Sequence, residues 1–240
     1  MRATTMVADI ADRLAGVRRR VVVAAAECGR GPRSVTLIAV GKTFPAEVVR
    51  MAVEAGAVDL GENRVQEAVA KKPEVPGAKW HLIGPLQRNK TRAALEVFDI
   101  VHTLDRPELA DRLQLLLGEH WPDRRLDVLV EVNIGSEPQK AGTLPDKGAG
   151  LVRHAIGCDR LAVRGLMAIP PWQDDPEASR PYFKALRELR DDIQQDVGVA
   201  LPELSMGMSH DFEVAIAEGA TMVRVGTAIF GPRGVKAVSG

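Results

Sequence analysis

From residue 35 onward, short apolar runs alternate with longer amphipathic stretches. Each run is rich in β-branched residues and ends at glycine or polar residues, and a helical pattern follows it. The runs predict eight strands, at residues 35–40, 57–60, 79–83, 100–103, 126–134, 161–168, 203–208 and 222–225. Strands that alternate with helices pair in parallel through right-handed crossovers. The pattern therefore predicts an α/β fold with a single (β/α)8 TIM barrel. An open doubly wound sheet is the alternative, because strand counting does not prove closure.

An extra helix is predicted before the first strand. Apolar residues there recur at steps of three and four, at Val7, Ile10, Ala11, Leu14, Val17, Val21 and Ala25. The arginines at 18–20 and the apolar residues that follow resemble a secretory signal. However, the apolar run is only six residues long and ends at Glu27, short of the ~7–15 that a signal needs.

Between the predicted strands, helical patterns cover residues 46–55, 107–117, 151–156, 181–193 and 212–218. The Gly/Pro-rich stretches 135–150 and 170–181 predict loops after the fifth and sixth strands. No linker or composition shift divides the chain. We expect one domain over residues 1–240, with the leading helix in 1–34 and the barrel in 35–231.

Composition narrows the class of protein. Of the 240 residues 45% are apolar and 27% charged, which is typical of a soluble globular protein. Basic and acidic residues balance at 32 each, which argues against binding to nucleic acid or an acidic membrane. Cys28 and Cys158 make neither a disulfide framework nor a zinc site, so we expect a cytoplasmic protein.

Candidate functional residues follow from position alone, since β/α barrels carry their chemistry at the carboxyl ends of the strands. Lys42 directly follows the first strand, where partial desolvation favours the neutral amine that forms Schiff bases with carbonyl compounds. A lysine that extends its ammonium from the barrel rim is the alternative. The residues that pass this positional test are Lys42, Asn63, Gly84, Asn133, Met167, Ser209, Arg224 and Thr227.

The ends of the last two strands predict a phosphate site. Ser209 follows the seventh strand and is placed to cap a helix that begins near Asp211. Gly226 and Thr227 follow the eighth strand, and glycines, hydroxyls and helix N-termini together bind phosphate. Ordinary turn chemistry is the alternative.

Other chemistry is weakly supported. Ser209, His210 and Asp211 are the residue types of a hydrolase triad, but consecutive side chains point apart. The five histidines share no helical metal-ligand spacing, so we predict no metal site and interpret His81 as a hydrogen-bonded strand-end residue. Three methionines are interpreted as core residues, namely Met206, Met208 and Met222.

Six motifs in order resemble the pyridoxal phosphate homeostasis protein family, the YggS/PROSC-type proteins that bind pyridoxal 5'-phosphate (PLP). They are LIAVGK (37–42), GENRVQE (61–67), WHLIGPLQRNK (80–90), RGLMAIP (164–170), LSMGMS (204–209) and VRVGTAIFG (223–231). The resemblance covers the chain from about residue 35 almost to its end. It implies a barrel like the N-terminal domain of alanine racemase, with PLP on a lysine.

The resemblance also implies residue roles. Lys42 matches the family's Schiff-base lysine, and Arg224 matches the arginine that faces the pyridine nitrogen. The phosphate contacts match Ser209, Gly226 and Thr227, and the residues lining the cofactor ring match Asn63 and Met167. An arginine at the pyridine nitrogen stays protonated and weakens the ring as an electron sink.

We therefore expect a non-catalytic PLP carrier, a monomer with a role in vitamin B6 homeostasis. Transfer of PLP to apo-enzymes is a further hypothesis. A PLP-dependent amino-acid racemase is the alternative, but it needs a second acid/base, and Tyr182 is the chain's single tyrosine. A cofactor-free scaffold would leave Lys42, Ser209 and Arg224 unexplained. Lys140, in the loop after the fifth strand, is hypothesised to attract or release PLP.

Overall fold

The computed structural model describes residues 2–232, and side chains from residue 9 onward. Val7 and the last eight residues of the expected domain therefore lie outside the part described in full. The strands are β1 (Thr36–Val40), β2 (Asp59–Glu62), β3 (Lys79–Leu82), β4 (Ile100–Leu104), β5 (Leu126–Glu131), β6 (Leu161–Met167), β7 (Glu203–Met208) and β8 (Met222–Val225). The helices are α1 (Arg2–Glu27), α2 (Ala46–Glu54), α3 (Val65–Lys71), α4 (Thr91–Val97), α5 (Pro107–His120), α6 (Pro145–Ile156), α7 (Arg180–Val197), α8 (Phe212–Ala217) and α9 (Thr227–Phe230).

The eight strands form a closed parallel barrel in sequence order. Closure is made by β1 and β8, which pair with Ile38 opposite Arg224. The predicted TIM barrel is confirmed, and the open sheet is wrong. The closure brings the end of β1 beside the end of β8, although about 180 residues separate them in sequence.

Apolar side chains fill two separate regions. The larger cluster lies between the strands and the surrounding helices, where the predicted leading helix α1 packs on α2, α8 and α9. A smaller cluster lies inside the barrel and consists of Ile38, Ile100, Leu129, Met167 and Met222. This division follows from the alternation of side chains along each strand.

The predicted element bounds differ from the structure in several places, among them the fifth strand, which ends at Glu131 and not at residue 134. Helices α3 and α4 were not predicted, because each has only seven residues and little room for a periodic pattern. The predicted loop 135–150 is wrong at its end, because α6 begins at Pro145, which suits the first turn of a helix. The predicted loop 170–181 is also too long, since a 3-10 turn at Pro176–Ser179 leads into α7.

Two glycines allow close approaches near the carboxyl ends of the strands. Gly84 lies against the backbone of Asn63, and a Cβ at Gly84 would be 2.3 Å from the Asn63 carbonyl oxygen. Gly207 has φ of +89°, and a Cβ there would be 2.6 Å from the Cβ of Ala215. Both contacts hold neighbouring segments closer than any side chain permits.

Candidate functional site

A cavity of about 290 Å³ opens at the carboxyl ends of the strands. Its lining combines a lysine, an arginine, two hydroxyl side chains and several apolar groups. The lining residues are Val40, Lys42, Asn63, Ile83, Ile169, Trp172, Met208, Ser209, His210, Arg224, Gly226 and Thr227. The volume lies at the lower end of the range for small-molecule sites, roughly 300–1,000 Å³.

Six of the seven predicted cofactor residues meet in this cavity. They are Lys42, Asn63, Ser209, Arg224, Gly226 and Thr227. The seventh, Met167, is fully buried in the cluster inside the barrel and does not line the cavity. Its contact with a cofactor ring stays a prediction.

Lys42 lies in the short loop between β1 and α2 and is half-buried. The next residue, Thr43, adopts a left-handed conformation with φ of +69°. Its backbone N–H donates to the Glu67 carboxylate at 3.0 Å. On the other side of Lys42, the ammonium of Lys71 donates to the carbonyl of Gly41 at 3.0 Å. Two residues of α3 therefore fix the backbone on both sides of Lys42.

Glu62 anchors this support from β2. It is fully buried, and its carboxylate accepts a 2.5 Å hydrogen bond from the ammonium of Lys71. Burial raises the pKa of Glu62, and the hydrogen bond from Lys71 opposes that rise. The pair of Glu62 and Lys71 was not predicted. The available signal was the charged pattern of the GENRVQE motif, which carries Glu62 and also Glu67.

Ser209 faces the start of α9. Its hydroxyl oxygen accepts hydrogen bonds from the backbone N–H of Gly226 at 3.1 Å and of Ala228 at 3.5 Å. The prediction that Ser209 caps the following helix is wrong. Asp211 is the N-cap residue of α8, and its carboxylate accepts instead from the N–H of Met208 at 2.7 Å. With its oxygen serving as acceptor, the Ser209 hydroxyl proton is available to a ligand.

Arg224 projects from β8 into the barrel and is 3% exposed. Its guanidinium donates to the Ser205 hydroxyl at 2.6 Å and to the Ala168 carbonyl at 2.9 Å. Burial lowers the pKa of Arg224 to about 10, so the side chain stays a cation near neutral pH. Its remaining surface borders the cavity.

Glu131 is a second buried charge near Arg224. It ends β5, is 6% exposed, and one carboxylate oxygen has no hydrogen-bond partner among the described residues. Burial raises the pKa of Glu131 to about 7. The neighbouring charge of Asp105 contributes to this rise, and the charge of Arg224 opposes it. Sequence analysis missed Glu131, because it placed this position in the middle of a longer strand.

The predicted strand-end residue Asn133 has a structural role. Its side chain accepts from the N–H of Glu137 at 3.2 Å and donates to the carbonyl of Glu137 at 2.8 Å, which closes the loop after β5. In the same loop, Lys140 forms an ion pair with Glu137, and its ammonium lies 3.4 Å from the carbonyl of Ile169. Because Ile169 lines the cavity, Lys140 lies close to the cavity's edge.

An aromatic pair at the cavity was also missed. The rings of Trp172 and His210 stack with centroids 4.8 Å apart and planes 28° apart. Trp172 is 67% exposed, although large apolar side chains are usually buried. The available signal was a tryptophan in the loop after the sixth strand.

Met208 lines the cavity, so its interpretation as a core residue is wrong, whereas Met206 and Met222 are buried.

Three metal-ligating residue types meet away from the cavity. Ligand atoms of Asp111, His154 and Cys158 lie within 4.8 Å of one another. The spacing of four between His154 and Cys158 matches that of neighbours on a helix face, a signal that the spacing of the histidines alone does not contain. We assign no metal here, because Asp111 and His154 already satisfy each other in a 2.6 Å hydrogen bond and both are exposed.

Comparison with known proteins first defines the class. The family model "Alanine racemase, N-terminal domain" matches residues 14–234. An alanine racemase of Clostridium difficile has this fold, with a TM-score of 0.73 and 13% identity over 95% of this chain and 58% of that one. The chain is thus an alanine-racemase-type barrel.

Relatives of higher identity define the family within that class. The pyridoxal phosphate homeostasis protein of Aquifex aeolicus is 45% identical over 224 residues, which are 92% of this chain and 97% of that protein. The Escherichia coli protein of the same name is 43% identical over 235 residues, which are 94% and 97% of the two chains. PipY of Synechococcus elongatus, solved without PLP, has a TM-score of 0.83 and 40% identity over 92% of this chain and 100% of its own. PipY has also been solved with PLP bound. This chain belongs to the pyridoxal phosphate homeostasis protein family.

Among the described residues, no helix is both long enough and apolar enough to cross a membrane.

Proposed function

We propose that this protein is a non-catalytic carrier of PLP that takes part in intracellular PLP homeostasis. The observation that carries the proposal is one small cavity that joins an amine, a hydroxyl-rich helix start and a guanidinium. These are the groups that the aldehyde, the phosphate and the pyridine nitrogen of PLP require. The family relationship supports the same function.

Lys42 would hold PLP covalently. Its neutral amine would take up the aldehyde of PLP reversibly, with loss of water on binding and uptake of water on release. The supports from Lys71 and Glu67 fix the backbone beside Lys42 and so limit the orientations of its side chain.

The phosphate would bind at the start of α9. Ser209, Gly226 and Thr227 all line the cavity there and offer hydroxyl and backbone donors. At the other end of the ring, Arg224 would face the pyridine nitrogen. A guanidinium at that nitrogen discourages its protonation, which favours retention of the cofactor over carbanion chemistry.

His210 favours a second candidate, an amino-acid racemase of the alanine racemase type. Racemisation needs acid/base groups on both faces of the substrate carbon, and His210 lines the cavity together with Lys42. However, one nitrogen of His210 is already 3.0 Å from the carbonyl of Asp174, and the ring is stacked on Trp172. We therefore favour the carrier.

We also propose that the chain forms one domain, since α1 packs directly on helices of the barrel. Its two cysteines are free, Cys28 at the surface and Cys158 buried. Unpaired thiols suit a reducing compartment, which supports a cytoplasmic location.

The decisive experiment is covalent trapping. Protein incubated with PLP should be yellow, and borohydride should fix one pyridoxyl group on the peptide that contains Lys42. Lys42→Ala should lose the colour, whereas the control Lys184→Ala, on the exposed face of α7, should keep it. A pyridoxyl group on another lysine in the unaltered protein would contradict the assignment.

Two further assays separate carrier from enzyme. Incubation with L-alanine in D2O should exchange no more α-proton than free PLP does, and sustained exchange that Lys42→Ala abolishes would identify a racemase.

Transfer to apo-enzymes is tested with and without a dialysis membrane between the proteins. Transfer that stops when they are separated indicates direct delivery.

A further inference from the structure

A continuous chain of hydrogen bonds crosses the inside of the barrel. The Asp59 carboxylate lies 2.9 Å from Nε2 of His81, and Nδ1 of His81 lies 2.9 Å from Nε2 of His102. Nδ1 of His102 lies 2.9 Å from the Ser205 hydroxyl, which in turn accepts from the guanidinium of Arg224 at 2.6 Å. We call these five side chains the barrel relay.

The barrel relay connects the two ends of the barrel. Asp59 begins β2 and pairs in register with Lys79, the first residue of β3. Arg224 borders the cavity at the opposite end. His81, His102 and Ser205 between them have no solvent exposure.

For two neutral imidazoles, the Asp59 carboxylate fixes the direction of every hydrogen bond in the relay. A guanidinium can only donate and an ionised carboxylate can only accept. The Ser205 oxygen accepts from Arg224, and its hydroxyl proton can still be donated to Nδ1 of His102. Each neutral imidazole then receives at Nδ1 and donates from Nε2, and the last donor meets Asp59. We therefore expect both rings to carry their proton on Nε2.

The surroundings of His102 disfavour its charged form. Burial lowers the pKa of His102 well below its ordinary value, and any positive charge on His81, together with those of Arg224 and Lys79, lowers it further. Glu131 and Asp211 are the acidic groups whose charges act on Arg224. Within the described part of the chain, neither carboxylate makes a hydrogen bond to the guanidinium. The guanidinium donates there to the Ser205 hydroxyl and to the Ala168 carbonyl.

We propose that Asp59, His81, His102 and Ser205 are positioning residues that orient Arg224 toward the cavity. Each dipole in the relay turns its negative end toward the guanidinium, and Asp59 fixes that orientation from the far end of the barrel. The inference deepens the proposed function, on which it rests for the cofactor that Arg224 faces. It goes beyond the predicted site by assigning a role to a carboxylate remote from the cavity.

The test replaces Asp59 by asparagine. An asparagine side chain has nearly the same shape but can also donate, so it removes the charge that fixes the relay's direction. Asp127→Asn is the matched control, because Asp127 also lies near the start of a strand and is paired, but with Arg164 rather than with the relay. Ser205→Ala interrupts the relay next to Arg224 and gives a second, independent variant.

The first readout needs no cofactor. Histidine side-chain ¹⁵N spectra of the apo-protein should show both His81 and His102 as Nε2–H tautomers, in the unaltered protein and in Asp127→Asn. Asp59→Asn should introduce Nδ1–H tautomers at both rings. The Nη protons of Arg224 should give resolved signals that broaden in Asp59→Asn and Ser205→Ala.

The second readout is release of PLP to a scavenging apo-enzyme. Asp59→Asn and Ser205→Ala should release PLP about 10- to 100-fold faster, by analogy with residues that orient metal ligands, whose substitution commonly changes affinity by about that factor. Asp127→Asn should release it at the unaltered rate. A shift of the visible absorption band in the two relay variants would report a changed environment at the pyridine ring.

Two results would overturn the proposal: Nδ1–H tautomers in the unaltered protein, or equal PLP release and equal Arg224 spectra in Asp59→Asn and Asp127→Asn. If the unaltered protein bound no PLP, the proposed function would fail. The NMR spectra would still decide whether the relay orients Arg224.

Discussion

Replacing Glu131 with glutamine tests whether a buried carboxylate makes the protein less stable as the pH rises. Glu131 is 6% exposed, with one oxygen unpartnered among the described residues, and burial raises its pKa from 4.5 to about 7. Glutamine has nearly the same shape and cannot ionise. The perturbation therefore removes a charge and little volume.

The sign follows from the two pKa values. The folded-state pKa lies above the unfolded one, so the folded protein binds the proton more tightly. This stabilisation is fully present below about pH 4.5 and is lost as the pH rises through about 7. A rise from 4.5 to about 7 corresponds to about 3 kcal/mol. Most of that change, about 2 to 3 kcal/mol, falls between pH 5 and pH 8.

Urea unfolding of the apo-protein at several pH values between 5 and 9 measures the effect. The free energy of unfolding of Glu131→Gln, relative to the unaltered protein, should increase by about 2 to 3 kcal/mol between pH 5 and pH 8. Glu96→Gln is the control, because Glu96 is exposed on α4 and pairs with Arg92. A constant difference between Glu131→Gln and the unaltered protein across this range would refute the argument, whatever the absolute stabilities.

Two more substitutions test the packing around the cavity. Gly207→Ala should destabilise the protein by about 2 kcal/mol or more in urea unfolding, because φ of +89° and a 2.6 Å approach to Ala215 exclude a Cβ. Gly118→Ala, in open space on α5, should instead be neutral or stabilising by up to about 1 kcal/mol, and equal effects would contradict the geometry. Trp172→Ala removes the ring stacked on His210 and should speed PLP release in the scavenging assay. An unchanged rate would show that this ring does not cover the bound cofactor.

Much of the cavity was predictable from position in the sequence. Lys42, Ser209 and Arg224 each lie at or just after a strand end, and a parallel barrel gathers the carboxyl ends of all its strands at one face. Once the strands are found from their apolar runs, these residues must therefore approach one another. The family resemblance added their roles, which stay predictions until PLP is trapped on the protein.

Residues whose role depends on a partner elsewhere in the chain were not predictable. Ser209 has the sequence position of a cap for α8, yet its hydroxyl accepts from Gly226 and Ala228 beyond the next strand. Similarly, Trp172 and His210 come from different loops and stack only in the folded protein. Local propensity does not report such contacts, because they depend on the orientation of whole loops.

The amino-acid sequence was enough to give the alternation of strands and helices and to favour a barrel, whose strand ends surround the cavity. This was possible because apolar periodicity reflects which side of each element is buried. Only the tertiary structure decided that polar residues from β2, β3, β4, β7 and β8 join inside the barrel. A hydrogen bond between strands depends on barrel closure and on which residues lie at the same height, and neither leaves a signal in any one segment of the chain.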